Sequence, residues 1–310
     1  MRSLVTGGAG FIGSNLVDAL LARGDEVTVV DDLSTGRRGN LDGALAAGAE
    51  LVELDIRDGE ALARLAADKR PERVFHLAAQ IDVRKSLADP FFDAAVNVGG
   101  TANVLDAARG CACGRVVFVS TGGAIYGEGE GQQLPLAEDA PIAPLSAYGQ
   151  SKFAAEGYLA LYERLYGLSG VSLRLGNVYG PRQDPLGEAG VIAIFCGALR
   201  EGGQPTVYGD GSQTRDYIYV GDVVAAALAA AAAGVTGAVN IGTGRETTVI
   251  ELVDALRQLG GREDFEAQLA PARAGEVQRI ALDAGRAESE LGWRAETGLD
   301  QGLRLTLDSL

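Results

Sequence analysis

The stretch TGGAGFIG, residues Thr6–Gly13, decides the predicted fold. It follows the apolar run RSLVTG and opens FIGSNLVDALLARG, whose apolar residues recur at helical spacing and which ends in Gly24, a plausible C-cap. Gly7, Gly10 and Gly13 would allow a tight turn, a close approach of the backbone to a pyrophosphate, and packing of the helix on the strand. The helix N-terminus would offer N–H groups and partial positive charge to phosphates. The stretch therefore predicts a dinucleotide-binding strand–turn–helix unit.

An acidic residue stands where this unit needs one. Asp31 ends the second predicted strand, EVTVVDD, 18 residues after Gly13. A carboxylate there can accept hydrogen bonds from the adenosine ribose hydroxyls and would repel a 2′-phosphate. The spacing favours NAD over NADP, and the nearby Arg37 and Arg38 keep NADP as the alternative.

Strands and helices alternate over about the first 180 residues, a pattern that predicts parallel βαβ units. Further strands are expected at ELVELDI, RVFHLAA, RVVFVST, VSLRLGNVYG and AVNIG, and helices at GEALARLAADK, PFFDAAVNVGGTANVLDAAR and YGQSKFAAEGYLALYERLYG. The fold class is thus α/β, a Rossmann-type doubly wound parallel sheet. After Gly180 the chain becomes rich in Gly, Pro and charge. We expect an NAD-binding domain over 1–175, with returns near 216–244, and a smaller, discontinuous C-terminal substrate-binding region over 176–310.

The composition limits the possible partners. The chain has 310 residues, 47% of them hydrophobic and 22% charged, as in ordinary globular proteins. Its formal net charge of −15 would repel nucleic acid and anionic membranes, so neither is expected as a partner. The longest strongly apolar run, residues 223–233, is too short to cross a bilayer and predicts a buried helix. With no signal-peptide pattern before the first strand, we expect a cytoplasmic protein.

The cysteines and the histidine predict neither disulfides nor a metal site. Cys111, Cys113 and Cys196 are odd in number, and a C-x-C spacing does not suggest a disulfide framework. Reduced thiols are expected. His76 is the only histidine, so zinc ligands are scarce.

The segment YGQSK places Tyr148 and Lys152 four residues apart at the start of a predicted helix, so that both face one side. A phenol is a poor base at neutral pH, but an adjacent ammonium and a positive nicotinamide ring would favour the phenolate. Tyr148 could then take a proton from a substrate hydroxyl while hydride passes to the cofactor. Lysine is rare in this chain, with only Lys69, Lys85 and Lys152, which makes its position here more informative.

Seven motifs occur in order along nearly the whole chain: TGGAGFIG, VDDLSTG, HLAAQ, STGGAIYG, YGQSK, LRLGNVYGPR and TRDYIYV. Together they resemble the extended short-chain dehydrogenase/reductases, and among these the NAD-dependent nucleotide-sugar 4-epimerases of the UDP-glucose 4-epimerase type. The resemblance implies that tightly held NAD takes hydride from C4 of the sugar while Tyr148 removes the 4-OH proton. The 4-keto sugar then turns over and receives the hydride on its other face, with no net redox change.

The resemblance also implies which residues bind the cofactor and the substrate. Cofactor contacts are expected from Gly7, Gly10, Phe11, Ile12, Gly13, Asp31, Asp32, Ser34, Gly36, Asp55, Ile56, Leu77, Ala78, Ala79, Gln80, Asn97, Tyr148 and Lys152. Contacts to a UDP-sugar are expected from Gly122, Tyr148, Asn177, Arg182, Val191, Gln204, Val207, Tyr208, Arg215, Arg273 and Glu276. Within the second set, Arg215 and Arg273 would neutralise the diphosphate, because arginine forms bidentate contacts with phosphate oxygens.

The segment STGGAIYG, residues 120–127, helps to choose among reactions of this fold. The 4,6-dehydratases of the family carry Thr-Asp-Glu where this chain has Gly122, Gly123 and Ala124, and uronate decarboxylases keep a Glu where Ala124 stands. Both reactions are therefore disfavoured, whereas epimerisation needs no further acid or base. The usual epimerase has Ser or Thr at the position of Gly122. We expect Thr121, Ser120 or a water to replace that hydroxyl, or Tyr148 to work alone.

Several alternatives remain open at this point. UDP-glucose and UDP-galactose are the first candidates, followed by UDP-glucuronate, for which Arg182 could pair with the carboxylate, and UDP-N-acetylhexosamines, for which residues 122–124 leave room. The chain could instead be a net-oxidising dehydrogenase or a non-catalytic NAD-sensing module, but the latter tends to lose the Tyr/Lys pair. The resemblance also implies a homodimer through helices near residues 91–109 and 150–166, and the second of these is apolar around much of its circumference.

Overall fold

The computed structural model describes residues 1–127, 133–185, 190–272 and 277–310. A seven-stranded parallel sheet lies at the centre of this part of the chain, with strands in the order β11-β6-β5-β4-β1-β2-β3. The strands are β1 (Arg2–Thr6), β2 (Glu26–Asp31), β3 (Glu50–Glu53), β4 (Arg73–His76), β5 (Arg115–Thr121), β6 (Gly170–Leu175), β7 (Asn177–Tyr179), β8 (Thr206–Tyr208), β9 (Thr214–Arg215), β10 (Tyr217–Tyr219), β11 (Gly237–Ile241), β12 (Thr247–Thr248) and β13 (Gln268–Ala270). The predicted α/β class with a Rossmann-type parallel sheet is confirmed.

Helices cover both faces of this sheet. They are α1 (Phe11–Ala22), α2 (Asp42–Ala46), α3 (Gly59–Lys69), α4 (Val83–Ala88), α5 (Pro90–Ala94), α6 (Thr101–Gly110), α7 (Gly122–Ile125), α8 (Ala147–Tyr166), α9 (Val191–Arg200), α10 (Val220–Ala232), α11 (Val249–Gly260), α12 (Gly285–Leu291) and α13 (Leu299–Asp308). One core joins α1 and α10 to the sheet, and another joins α3, α6 and α8 to its opposite face. No helix in the described ranges is long and apolar enough to span a bilayer.

The order of the strands creates a crevice. The sheet runs outward from β1 in both directions, to β2 and β3 on one side and to β4, β5 and β6 on the other. All these strands are parallel, so their carboxyl ends meet at one edge. In doubly wound sheets the ligand crevice lies beyond this edge where the strand order reverses, here between β1 and β4.

The predicted strand VSLRLGNVYG is two strands in the structure. β6 ends at Leu175, and β7 leaves the main sheet to pair with β10. Gly176 separates them, and a Cβ at residue 176 would lie 2.8 Å from the Asp216 carbonyl oxygen. β11 then returns to the main sheet beside β6. The domain division at residue 175 stays a prediction, and α10 and β11 both lie within the return expected at 216–244.

The long helical pattern at residues 90–109 is also divided. Asp89 caps the N–H of Phe92, Pro90 begins α5, and residues 95–100 form a π-helical stretch before α6. Asn97 lies within this stretch and is buried. Such π-turns are frequent at functional sites because they redirect side chains within a continuous helix.

A smaller apolar cluster packs against residues 120–127. It consists of Ile125, Tyr126, Leu136, Ile280 and Leu282, so the C-terminal part of the chain packs directly under the end of β5. The remaining C-terminal helices α9, α11 and α13 form their own core.

Candidate active site

The glycine loop after β1 has the geometry of a pyrophosphate cradle. Gly7 has a φ of +71°, and a Cβ there would lie 2.6 Å from the Ala78 backbone nitrogen. A Cβ at Gly13 would lie 2.1 Å from the Gly7 carbonyl oxygen, so α1 packs on the loop without room for any side chain. Gly10 precedes α1 as its N-cap residue. The free N–H groups of the first helical turn are thus presented at the crevice, which fits a dinucleotide.

Asp31 closes the adenosine side of this cradle. Its carboxylate accepts hydrogen bonds from the backbone N–H groups of Ala9 and Leu33, each at 2.9 Å. Burial raises the pKa of Asp31, and these two N–H groups oppose that rise. A Cβ at Gly36 would lie 2.6 Å from Asp31 Oδ1, so the loop must be bare here. Asp31 therefore both orients the loop and offers oxygen lone pairs to a ribose.

The other predicted adenosine contacts are on neighbouring loops. Asp32 is exposed and accepts hydrogen bonds from the backbone N–H and hydroxyl of Ser34. Asp55 follows β3 and binds the Arg57 guanidinium through both carboxylate oxygens, and this interaction lowers the pKa of Asp55. Ile56 is buried beside Gly100. All of these groups lie beyond the carboxyl ends of β2 and β3, on one side of the crevice.

A chain of hydrogen bonds forms the floor between β1 and β4. The Ala78 N–H donates to the Thr6 hydroxyl, which lies 2.7 Å from His76 Nδ1. On the other side of the ring, His76 Nε2 is 2.9 Å from the Thr101 hydroxyl, which itself donates to the Asn97 carbonyl oxygen. Since the Thr101 hydroxyl proton is donated to Asn97, the Thr101 oxygen can only accept a hydrogen bond from His76. His76 therefore carries its proton on Nε2. Burial lowers the pKa of His76 to about 3, with help from Lys152.

Asn97 ties this floor to the helix that carries the Tyr/Lys pair. Its side-chain amide donates to the Gln80 carbonyl oxygen and to the Ser151 hydroxyl, and its oxygen accepts from the Gln80 N–H. The predicted residues Leu77, Ala78, Ala79 and Gln80 are half-buried and follow β4 directly. The structure thus brings the predicted nicotinamide-side residues together around one hydrogen-bonded network.

Tyr148 and Lys152 lie one turn apart on α8, at the open side of this network. Burial raises the pKa of Tyr148 to about 12, the Thr121 side chain opposes this, and the charge of Asp93 adds to it. Burial lowers the pKa of Lys152 to about 7, whereas Glu156 and Asp93 act to raise it. The Lys152 ammonium also lies 4.3 Å from the centre of the Phe118 ring. The expectation that Lys152 and a positive nicotinamide ring together would favour the phenolate stays a prediction, and burial opposes the phenolate in the protein by itself.

The two hydroxyls at the end of β5 have different surroundings. Thr121 is half-buried, and its side chain is within hydrogen-bonding reach of Tyr148. Ser120 points the other way and donates to Glu156 Oε1 at 2.6 Å. Side chains alternate across a strand, so adjacent hydroxyls cannot face the same ligand. We therefore withdraw Ser120 from the predicted catalytic set and retain Thr121.

A side chain at residue 122 would point into the apolar core of the protein. A Cβ at residue 122 would lie 2.4 Å from Leu282 Cδ1, inside the apolar cluster below the site. A Cβ at Gly123 would instead lie 3.4 Å from Asn177 Oδ1 and 4.0 Å from the Thr121 hydroxyl oxygen. A side chain at residue 122 would have to displace Leu282, and the contact of Gly122 with the sugar stays a prediction. Gly123 and Ala124 are half-buried and bring no more than one methyl group to this part of the site.

A buried ion pair lies behind Lys152. Glu156, one further turn along α8, accepts hydrogen bonds from Arg174 Nη2 at 2.8 Å and Nε at 3.1 Å. Arg174 also donates to the Tyr126 hydroxyl, which donates to Asn240 Oδ1. This network connects α8, β6 and β11. The sequence reasoning missed Glu156, although its i+4 spacing from Lys152 was a visible signal.

Asp93 was missed as well. It is 1% exposed, and its Oδ1 accepts from Gln80 Nε2 at 2.9 Å and from Asn97 Nδ2 at 3.2 Å. Its Oδ2 is buried and has no hydrogen-bond partner among the described residues. A single acid within the apolar stretch PFFDAAV was the available signal.

The predicted substrate residues are more scattered. Asn177 is half-buried at the start of β7, opposite Gly123, and Val191 begins α9. Arg215 is half-buried and donates to the Thr214 carbonyl oxygen, and Tyr208 ends β8. Arg273 and Glu276 lie outside the described residues.

Three of the predicted substrate residues are engaged elsewhere in the protein. The Arg182 guanidinium binds Asp18 on α1 at 2.5 Å, which leaves it turned toward the cofactor domain. The Gln204 side chain bridges to the backbone of residues 264 and 266 at 2.7 and 2.8 Å. The Val207 side chain is buried in the C-terminal core. We withdraw the Arg182, Gln204 and Val207 side chains as substrate contacts, because each is held by other parts of the chain.

The fold and the site together define a dinucleotide-binding enzyme with a tyrosine–lysine pair at its nicotinamide end. Residues 3–242 match the model of the NAD dependent epimerase/dehydratase family. The chain belongs to this family, whose cofactor is NAD, and the predicted resemblance to extended short-chain dehydrogenase/reductases is confirmed.

Similar proteins cover the whole chain. The UDP-glucose 4-epimerase of Mycolicibacterium smegmatis is 47% identical over 310 residues, 99% of this chain and 98% of that protein. The crystal structure of UDP-glucose 4-epimerase from Thermotoga maritima with UDP-glucose has a TM-score of 0.95 and 44% identity, covering 100% of this chain and 98% of that one. The UDP-glucose 4-epimerase of Thermus thermophilus in complex with NAD has a TM-score of 0.92 and 45% identity, with the same coverage.

Proposed function

We propose that this protein is a UDP-sugar 4-epimerase that uses bound NAD, with UDP-glucose and UDP-galactose as its first substrates. The observation that carries the proposal is the pairing of Tyr148 with Thr121 at a strand end whose next small residues, Gly123 and Ala124, bear no acid or base. The similarity to UDP-glucose 4-epimerases over the full chain supports the same reaction.

The residues suggest how the reaction proceeds. NAD, held in the glycine cradle, supplies a hydride acceptor and donor for C4 of the sugar. Tyr148 would remove the proton of the 4-OH and later return it, while Thr121 holds the phenol or the sugar oxygen by a hydrogen bond. Lys152 would hold the nicotinamide ribose and, when charged, favour the phenolate. The proton that Tyr148 takes is the one that it gives back, so no external acid or base is consumed.

The lack of acidic and basic side chains at Gly123 and Ala124 suits epimerisation better than the other reactions of the family. Elimination of water from the sugar needs an additional acid and base, and neither Gly123 nor Ala124 carries one. Gly123 and Ala124 are half-buried and bring no side chain larger than a methyl group into the space between them and Asn177. A sugar that must present both faces of C4 to the same cofactor needs such room. The same room supports UDP-N-acetylhexosamines as a second substrate class. UDP-glucuronate is less supported, because Arg182 is paired with Asp18.

The direct test is an assay of each UDP-sugar with separation of products. We expect conversion between 4-epimers without steady production of NADH, and copurification of NAD with the protein. Tyr148→Phe should lower turnover by several orders of magnitude and leave bound NAD in place. Net NADH formation would identify a dehydrogenase instead, and near wild-type turnover of Tyr148→Phe would overturn the assignment.

We also propose a homodimer. Large apolar side chains are exposed on α4, α5 and α8, which pack against one another: Leu87 is 61% exposed, Phe91 83% and Leu165 58%. Isolated proteins rarely expose such a group of side chains unless it forms an interface. Light scattering should give a dimer for the wild type and a smaller species for Phe91→Asp. A monomeric wild type would refute the proposal.

A cytoplasmic location is proposed on the basis of the thiols. Cys111, Cys113 and Cys196 are all free in the structure. Free, buried thiols are typical of reducing compartments. Fractionation of the producing cells, with the protein tagged, would test this.

A further inference from the structure

The site contains a buried carboxylate to which the proposed reaction assigns no role. Asp93 lies on α5, which packs against the helix α8 that carries Tyr148 and Lys152. Its side chain is almost completely buried, and one of its oxygens is held by Gln80 and Asn97. Burying a carboxylate in this way costs free energy unless an opposite charge or a full set of hydrogen bonds compensates it.

Hydrogen bonds do not fully offset the free-energy cost of burying the Asp93 carboxylate. Within the described residues, Asp93 Oδ2 has no hydrogen-bond partner although it is buried. Asp93 lies on α5, which packs against α8, and its charge acts on the Lys152 ammonium and on the Tyr148 phenol of that helix. An uncompensated oxygen in a native structure is often explained by a functional role.

We infer that Asp93 is a positioning residue of the proposed reaction, a fixed countercharge that keeps Lys152 protonated beside Tyr148. This inference rests on the proposed function for its role in turnover, whereas the burial of Asp93 and its unpartnered oxygen do not depend on that function.

The other charged groups around Lys152 are consistent with this role. Glu156 lies on the same helix, but its charge is shared with the Arg174 guanidinium at 2.8 Å. His76 on β4 is neutral, since its pKa is about 3. Glu156 acts on Lys152 more strongly than Asp93 does, but of these two acids only Asp93 has no arginine or lysine at ion-pair distance among the described residues.

The net charge of the buried site explains why the reaction would need the Asp93 carboxylate. The charges of Lys152, Asp93, Glu156 and Arg174 cancel. When the nicotinamide ring is oxidised it adds a positive charge, which an ionised Tyr148 would cancel in turn. When the ring is reduced, a protonated Tyr148 keeps the site neutral again. With Asp93 uncharged, both states would carry an extra positive charge in a buried site, and Lys152 would lose its proton more easily.

The substitution Asp93→Asn tests this with little structural change. Asn keeps the oxygen that Gln80 and Asn97 bind, removes the charge, and places an NH2 group where Oδ2 lies. Asp89→Asn is the matched control, because Asp89 is an exposed residue at the start of the same helix and Asn also serves as an N-cap.

The readout uses the small number of lysines. With isotope-labelled lysine, the NMR spectrum contains side-chain signals from Lys69, Lys85 and Lys152 only, and Lys152→Met identifies the third. In protein freed of NAD, Asp93→Asn should move the Lys152 titration down by about one pH unit, as expected for charges several ångströms apart at a protein-like dielectric constant. Asp89→Asn should not move it. With NAD and substrate, the alkaline limb of the kcat profile should move in the same direction.

Each outcome decides the inference. Equal Lys152 titrations in Asp93→Asn and Asp89→Asn would overturn it, whether or not the protein proves to be an epimerase. If Asp93→Asn does not fold, Asp93→Asn/Lys152→Met is examined by denaturation. Recovery of folding in the double variant supports a charge pair, and failure to recover means that Asp93 acts only as a hydrogen-bond acceptor for Gln80 and Asn97.

Discussion

Leu282 fills the space in front of Gly122, so closely that a Cβ at residue 122 would lie 2.4 Å from Leu282 Cδ1. Residue 122 follows β5 and begins the short helix α7, so its Cα–Cβ direction points down into the apolar cluster and not toward Tyr148. Packing against Leu282 therefore requires a glycine at residue 122. This requirement explains why residue 122 carries no hydroxyl, and the sequence did not indicate it. Thr121 carries the hydroxyl that lies within hydrogen-bonding reach of Tyr148.

Gly122→Ser should destabilise the protein without increasing turnover. Overpacking a buried site of this kind costs about 1–3 kcal/mol. Combined with Leu282→Ala, which removes the colliding methyl groups, the loss should be smaller than the sum of the two single losses. Denaturant unfolding of the four proteins measures this. A stable and faster Gly122→Ser variant would show that residue 122 does face the sugar.

Thr121→Val should lower turnover at least about tenfold, or roughly 1.4 kcal/mol in activation free energy. The reason is that the hydroxyl near Tyr148 is lost while the shape of the side chain is kept. Ser120→Ala is the control, since its hydroxyl is bound to Glu156. It should cost about 1 kcal/mol of stability, as for a typical hydrogen bond, and change turnover much less. Steady-state kinetics that show the reverse order would return Ser120 to the catalytic set.

Gly13→Ala should abolish retention of NAD. Its Cβ would lie 2.1 Å from the Gly7 carbonyl oxygen, so α1 would be pushed from the cradle. Gly43→Ala provides the comparison, because no heavy atom lies within 4 Å of a Cβ at that helical position. The nucleotide content of the purified proteins measures the effect. Equal NAD content in both variants would mean that the loop yields without consequence.

His76 should stay neutral down to acidic pH. Its pKa is lowered from 6.5 to about 3, so the unfolded chain binds a proton that the folded protein does not bind between these values. The contribution of His76 to stability is thus complete above about pH 6.5 and is lost as the pH falls toward 3. As His76 is the only histidine, its imidazole NMR signals can be followed directly. A titration near pH 6.5 in the folded protein would contradict the buried neutral ring.

The sequence predicted the parts of the fold that depend on local pattern. The glycine spacing of residues 7–13 and the alternation of strands and helices were sufficient for the sheet and the cofactor cradle. The separation of β7 from β6 was not visible, because it depends on the Asp216 carbonyl oxygen, distant in sequence, that lies against Gly176.

Side-chain direction limited the prediction of the site. The residues Ser120, Thr121 and Gly122 are consecutive hydroxyl or small residues, and only the strand geometry shows which one faces Tyr148. From the sequence, Arg182 was a reasonable partner for an anion. In the structure its backbone is left-handed, with φ of +71°, and its guanidinium binds Asp18. Asp93 escaped notice because its importance lies in an oxygen without a partner, which no sequence pattern reports.

The return of β11 to the sheet has a consequence for how the chain is made. All six residues of β6 are buried, between β5 on one side and β11 on the other. On the ribosome, residues 176–236 must be synthesised before β11 can cover that edge. Until then β6 is an uncovered apolar edge strand, which readily pairs with other chains. The cofactor-binding half therefore cannot be completed as an independent unit during translation, and a gene ended after residue 175 should yield an aggregating product.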